Sequence, residues 1–403
     1  MNKKFKYPLL SNAFNNQDIK VGINVLKSKF ITMSNITYNF EKYFAKKMGS
    51  KYAVMTNSGS SANLLAISCL TNPLAKNILT NGDEVIIPAV CWSTSLWPLI
   101  QNNLKPVFAD VELDTFNLDL DKIEEKITKK TKAVMLVHVL GISTNMDRLK
   151  KIIKKHNLIL IEDSCESLGA SYNKKKLGTI GKFGTYSFYY SHQITSGEGG
   201  MVVCDDLNDY NILKSLRSHG WSRNTTFHKK LSKKFDKLDK RFLFIGPGYN
   251  VRPTEIQSAI AFNQFKRLSK FMDLRNQNRD KIIKSLKNHK KWNDQFSFVK
   301  IDKKIEPSWF GLPILVNNKF KKVKNLFLEN LSKKGIENRP IISGNFLNQP
   351  ASKFYNFNLK KDDFKNSNEV ENRGFFIGLH TKQISKNQIQ KITENLLEID
   401  NYL

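Results

Sequence analysis

The chain has 403 residues, enough for two domains of ordinary size around a large core. It is 40% hydrophobic and 25% charged, the composition of a soluble globular protein, and no stretch nears the roughly 18 apolar residues of a membrane span. Lys and Arg outnumber Asp and Glu by 65 to 36, for a net charge of +29; such a field can serve nucleic acid, an anionic surface or a phosphorylated substrate, but lysine and asparagine are overused along the whole chain, so the excess reads as compositional drift and neither nucleic acid nor a membrane is expected as a partner.

The opening residues, MNKKFKYPLL, are basic without an apolar stretch, which reads as a chain without a secretory leader and implies a cytoplasmic location. From about residue 50 to 205, short apolar runs alternate with amphipathic ones. Strands are expected at Tyr52–Met55, Glu84–Pro88, Pro106–Ala109, Ala133–Val139, Leu158–Ile161, Thr185–Tyr189 and Met201–Cys204, and helices at Ser60–Leu70, Leu120–Ile127 and Met146–His156. That alternation predicts a mostly parallel α/β sheet, with ligands at the carboxyl ends of its strands. The segment 225–245 holds the densest basic cluster, Lys229–Arg241, and is expected as an exposed loop or hairpin. Residues 265–295 are polar, basic and helical in pattern. Strands at Trp309–Val316 and Phe375–Gly378, with helices at Val323–Lys333 and Lys386–Ile399, outline a smaller α/β domain. The chain thus divides into residues 1–264 and 265–403. The four cysteines, Cys69, Cys91, Cys165 and Cys204, form no CxxC pair and fit neither a zinc site nor an iron–sulfur cluster; they read as reduced thiols packed as small hydrophobes.

Several motifs fall at strand ends. Asn57–Asn63, NSGSSAN, follows the first strand and opens a helix. Small residues let the backbone approach a phosphate, and a helix N-terminus offers free N–H groups and a positive dipole end. Ser58, Gly59 and Ser60 are therefore candidate phosphate contacts, although a serine N-cap reads the same way. Trp92 follows the strand EVIIPAV and is either a lid over a planar ligand or a core aromatic. Asp163 ends the strand LILIE, where a carboxylate is costly without a cationic partner; it can equally cap a helix, with Glu166 as the capping-box residue three positions on. Ser187 lies five residues before His192, in SFYYSHQITSGEGG, and the run Gly197–Gly200 lets the chain turn tightly into the next strand. Taken alone, His192 reads as a structural histidine.

Order and spacing change that reading. The series NSGSSAN, PAVCWST, VHVLG, IEDSCESLGA, SFYYSHQITSGEGG and GYNVRPTEIQSAI resembles the DegT/DnrJ/EryC1/StrS family of sugar-nucleotide enzymes that use pyridoxal 5′-phosphate (PLP), from about residue 20 to the C-terminus. The resemblance implies the fold-type-I PLP architecture, with a large mostly parallel sheet and a smaller C-terminal α/β domain. It assigns the cofactor phosphate to Ser58, Gly59, Ser60 and Ser187, the pyridine ring to Trp92 and Asp163, and the phenolic oxygen to Glu166. Asn250 would reach the cofactor of a neighbouring subunit in a homodimer. Arg339 would hold glutamate or the substrate phosphates, and His219 would lie near the substrate.

In most of the family a lysine before GEGG binds PLP covalently; here His192 stands in its place. A subgroup of sugar 3-dehydratases shares that histidine, and the segments Pro307–Ile314 and Arg339–Pro350 are similar to it as well. One branch adds a cysteine-ligated iron–sulfur cluster after the equivalent of RSHGW (Arg217–Trp221), where this chain has no cysteine. The resemblance therefore implies that glutamate converts PLP to pyridoxamine phosphate (PMP), which serves removal of the C3 hydroxyl from a nucleotide-linked 4-keto-6-deoxyhexose, GDP- or CDP-linked, to give a 4-keto-3,6-dideoxy sugar. An imidazole suits that chemistry, because its ordinary pKa near 6.5 lets it take and return protons near neutrality. Two other readings stand beside it: an aminotransferase that forms an amino sugar with another base, and a homologue without activity.

Overall fold

The computed structural model describes residues 5–11, 13–355, 357 and 361–403. Two helices lead into the fold, α1 (Asn16–Lys27) and α2 (Asn35–Met48). Then come β1 (Tyr52–Thr56), α3 (Gly59–Leu70), β2 (Glu84–Pro88), α4 (Ser93–Gln101), β3 (Lys105–Ala109), β4 (Thr131–Val137) and β5 (Ile159–Asp163). A hairpin of β6 (Ser171–Tyr172) and β7 (Lys175–Lys176) follows, then β8 (Phe183–Ser187) and β9 (Gly200–Cys204).

Seven of these strands form one sheet in the order β1-β9-β8-β5-β4-β2-β3. β9 runs antiparallel to both neighbours, and the remaining pairs are parallel. Strands β2, β8 and β9 are buried along their whole length, as strands covered on both faces are. The expected alternation is therefore present. Its strand bounds differ mainly in that β5 extends to Asp163 and β8 ends at Ser187.

A second sheet is antiparallel and four-stranded, in the order β10-β12-β14-β13, built from β10 (Phe296–Phe298), β12 (Gly311–Val316), β13 (Asn338–Arg339) and β14 (Gly374–Gly378). Between β10 and β12, β11 (Ile305–Glu306) leaves to pair with β6. The 20-residue helix Leu268–Lys287 touches both sheets' surroundings: Arg275 donates to the Trp309 and His192 carbonyls, and Asn278 donates to the His380 carbonyl. The chain start returns to the smaller sheet, with the Tyr7 hydroxyl donating to the Gly378 carbonyl at 2.9 Å and the Leu9 N–H to Glu337.

The segment expected as a loop or hairpin is instead helical. Phe227–Lys234 forms an α-helix with no buried residue, followed by a 3₁₀ turn at Lys240–Phe242. Lysine is a good helix former, and a lysine-rich helix keeps its charges in water while needing little apolar contact.

Candidate active site

A cavity of about 550 Å³ opens at the carboxyl ends of the parallel strands. Its floor is Asp163, the last residue of β5, which is only 4% exposed. Asn63 of α3 donates its amide to Asp163 Oδ2 at 2.8 Å, Ser95 of α4 donates its hydroxyl to the same oxygen at 2.7 Å, and the Cys165 N–H donates to Oδ1 at 3.1 Å. Thr185 fixes the Asn63 amide by donating to its oxygen at 2.5 Å. Every donor is neutral, so among the described residues this buried anion has no cationic partner. Residues 164–170 are turns and irregular chain rather than helix, which removes the helix-cap reading of Asp163. A carboxylate held in this way, facing a cavity, fits the N–H of a pyridinium ring.

The rim beside the floor is the N-terminus of α3. Ser58 is its N-cap and accepts from the Ser61 N–H at 3.1 Å, while the Gly59 and Ser60 N–H groups belong to the unpaired first turn of a helix. Ser187 ends β8 against this turn: a Cβ on Gly59 would lie 2.5 Å from the Ser187 Cβ and 2.9 Å from its hydroxyl oxygen. Gly200 is equally constrained, since a Cβ there would fall 2.3 Å from the Ser58 carbonyl oxygen. Two glycines thus bring backbone donors and serine hydroxyls to one spot, a cradle of phosphate size. Trp92 is 56% exposed and lines the same cavity, as a lid does and a core aromatic does not.

Glu166 and His192 line the same cavity. The Leu140 N–H donates to Glu166 at 3.1 Å. Burial, the largest cause, together with the nearby Asp163 charge, pushes the Glu166 carboxyl up to about 8, so it carries a proton at neutral pH. His192 sits in the turn after β8, its N–H donating to the Tyr189 carbonyl at 3.0 Å. The ring packs edge-on against Phe310 and Tyr189, with centroids 5.0 and 5.9 Å away. Its Nδ1 is sealed from solvent without a hydrogen-bond partner. Burial first, and then the Arg275 guanidinium, depress the imidazole to about 3. Among the described residues no carboxylate orients this histidine, unlike a triad base.

Arg339, on β13, also lines the cavity, and its guanidinium donates to Glu337 at 2.8 Å. Asn250 and His219 do not. They lie together outside its lining, where Arg252 Nε donates to the Asn250 side-chain oxygen at 3.0 Å and a terminal nitrogen of the same guanidinium sits 3.3 Å from His219 Nε2. Asn63, Ser95 and Arg275 are the residues that sequence reasoning passed over: polar side chains inside helical stretches, with no local signal for what they hold.

The signature of the DegT/DnrJ/EryC1/StrS aminotransferase family spans residues 13–397. The GDP-4-keto-6-deoxy-D-mannose 3-dehydratase of Escherichia coli O55:H7 is 40% identical over 378 residues, 93% of this chain and 95% of that one. The crystal structure of an E. coli GDP-4-keto-6-deoxy-D-mannose-3-dehydratase with bound hydrated PLP superposes with a TM-score of 0.88 at 38% identity, covering 98% of this chain and all of the other. A second structure of GDP-4-keto-6-deoxymannose-3-dehydratase, with a trapped PLP-glutamate geminal diamine, matches at the same TM-score and identity over 97% of this chain and all of the other. A family signature over residues 13–397, with a 40% identical relative covered to 95% of its length, makes this chain a member of the DegT/DnrJ/EryC1/StrS aminotransferase family.

Proposed function

We propose that this protein is a PLP/PMP-dependent 3-dehydratase. It removes the C3 hydroxyl of a nucleotide-linked 4-keto-6-deoxyhexose to give a 4-keto-3,6-dideoxy sugar, and glutamate supplies the amino group that regenerates PMP. The names of its relatives favour a GDP-linked substrate over a CDP-linked one. The observation that carries the reading is His192: an imidazole stands where most of the family has its lysine, within a pocket whose carboxylate floor and phosphate cradle are intact.

Bound PLP supplies an electrophilic carbonyl carbon and an electron-accepting ring. Asp163 holds the ring nitrogen protonated, and Asn63 and Ser95 keep that carboxylate aimed. Ser58, Gly59, Ser60 and Ser187 bind the phosphate, Trp92 covers one ring face, and Glu166, being protonated, donates a hydrogen bond toward the phenolic oxygen. With Nδ1 sealed, His192 uses Nε2 to take the proton from the cofactor's C4′ carbon and to protonate the departing C3 hydroxyl oxygen. Histidine forms no stable covalent link to PLP, so the amine form of the cofactor persists between turnovers. Arg339 receives the glutamate carboxylate or a substrate phosphate, since a guanidinium forks onto either.

We further propose a cytoplasmic homodimer in which Asn250, with His219 beside it, completes the partner's pocket. The chain divides at residue 264, with the large sheet wholly in the first part and the four-stranded sheet in the second. His192→Asn tests the central reading. It should abolish ammonia release and dideoxy-sugar formation while PLP stays bound, as followed by mass spectrometry and absorbance. Retained dehydration, or an amino sugar as the wild-type product, would overturn it.

A further inference from the structure

Arg275 is a buried cation without an anion. It is 1% exposed, and among the described residues no carboxylate lies within ion-pair distance of it. Its two terminal nitrogens instead donate to main-chain carbonyls: to Trp309 at 2.8 Å and to His192 at 3.3 Å. Its Nε has no partner. A desolvated guanidinium held only by carbonyl dipoles is costly, and residues retained in that state cluster at functional sites.

The two carbonyls frame one side chain. The His192 carbonyl belongs to the base itself, and Trp309 precedes Phe310, whose ring packs on the imidazole. Gln193 adds a parallel tie, donating to the Ser308 carbonyl at 3.0 Å and to the Glu166 carbonyl. Among the described residues the His192 ring has no hydrogen-bond partner to orient it, so the frame of main chain and aromatic rings does so.

We propose that Arg275 is the positioning residue of His192: from the helix Leu268–Lys287 it clamps the base-bearing turn, through the His192 carbonyl, to the residue that leads into β12. The chemical consequence rests on the dehydratase reading: a base kept weakly basic gives its proton back readily, which is what a poor leaving group such as hydroxide needs. The other charged or titratable groups around the pocket are His138, Asp163, Cys165, Glu166, Tyr189, Glu198 and Arg339, and His380 also feels the Arg275 charge. Burial and the guanidinium both disfavour a charged imidazole, and the Tyr189 main chain alone favours one.

The test is NMR titration of the histidine ring carbons in the PLP-free protein, run beside kinetics of the loaded enzyme, for Arg275→Met, Arg275→Gln and Arg275→Lys. In Met and Gln variants the His192 midpoint should rise, while burial, the larger cause, still holds it below the ordinary value near 6.5; the acid limb of kcat/KM should move with it, and kcat should fall at least about tenfold with PLP still bound. Lysine restores the charge but not the two-pronged clamp, so its midpoint should stay low while kcat recovers only in part. If Arg275→Met does not fold, Arg275→Gln against Arg275→Lys reads the same difference. An unchanged His192 midpoint with an unchanged pH profile in Arg275→Gln would overturn the proposal. The titration does not depend on turnover: a wild type that fails to dehydrate sugars would refute the dehydratase reading and leave the clamp to be judged by NMR.

Discussion

Gly59 and Ser187 meet so closely that a side-chain carbon on the glycine would sit 2.5 Å from the serine Cβ. Neither partner can yield easily, because Gly59 opens α3 and Ser187 ends β8, and both elements are buried. The contact is what sets helix N–H groups and a serine hydroxyl around one point. Gly59→Ala must push the helix end away from the strand, at a cost of about 1–3 kcal/mol in stability. PLP affinity should fall about tenfold or more, read by absorbance titration. Ser60→Ala, which only removes a hydroxyl, should change it less. Equal PLP binding by wild type and Gly59→Ala would mean that the phosphate sits elsewhere.

Glu166 makes a pH prediction with a definite sign. The folded protein keeps this proton up to about pH 8, whereas the ordinary value is 4.5. Between those limits the unfolded chain binds fewer protons, so the group lowers stability as pH rises. His192 and His380, held at about 3 and about 4 chiefly by burial, act oppositely: stability falls as pH drops below about 6.5. Both histidines are present in a Glu166→Gln variant, so their effect cancels in the comparison. Without cofactor, that variant should melt with the wild type near pH 4.5 and a few degrees above it at pH 8. Identical melting at both pH values would show that Glu166 ionises normally.

Much of this site was legible because its elements are local. Strand, turn and helix follow one another at Met55–Ser60, and the apolar run ILIE delivers Asp163 to a strand end, so order and spacing carry the pattern. What escaped is long-range. Asn63 and Ser95 lie 100 and 68 residues from the carboxylate they hold; in sequence Asn63 is one polar residue of an expected helix, and Ser95 lies where no element is marked. Arg275 reads as one more basic residue on a basic helix; its burial is decided by packing against Trp309 and the His192 turn. The helix Phe227–Lys234 was hidden for another reason. Its run of lysines resembles a solvated loop, and only backbone propensity distinguishes the two.

Glu41 and Arg217 supply a stability prediction. Their side chains are 4% and 2% exposed and form an ion pair; Glu41 also accepts from the Met55 N–H at 2.7 Å, and Arg217 donates to the Met55 carbonyl at 2.8 Å. The pair therefore clamps the end of β1 just before the phosphate cradle. Glu41→Ala leaves a buried cation with a single carbonyl, which should cost about 3–5 kcal/mol and weaken PLP binding as β1 loosens. Urea unfolding measures the first effect; a loss below about 1 kcal/mol would mean that the pair is solvated in solution.

The placement of Asn250 yields the sharpest test of assembly. It lies outside its own chain's cavity, on a segment shared with His219 and Arg252, yet the proposed function needs it at a cofactor. Only a second subunit can reconcile the two, because a two-fold dimer presents the same segment to the opposite pocket. Asn250→Asp then disables the partner's site, and His192→Asn disables its own. A heterodimer of the two variants carries both defects in one pocket and neither in the other. If subunits exchange at random, half of the dimers are mixed and each has one sound site, so unfolding and refolding an equal mixture should recover about a quarter of wild-type activity from two inactive proteins. If Asn250 instead acted within its own chain, each subunit of the mixed dimer would stay defective and no activity would return.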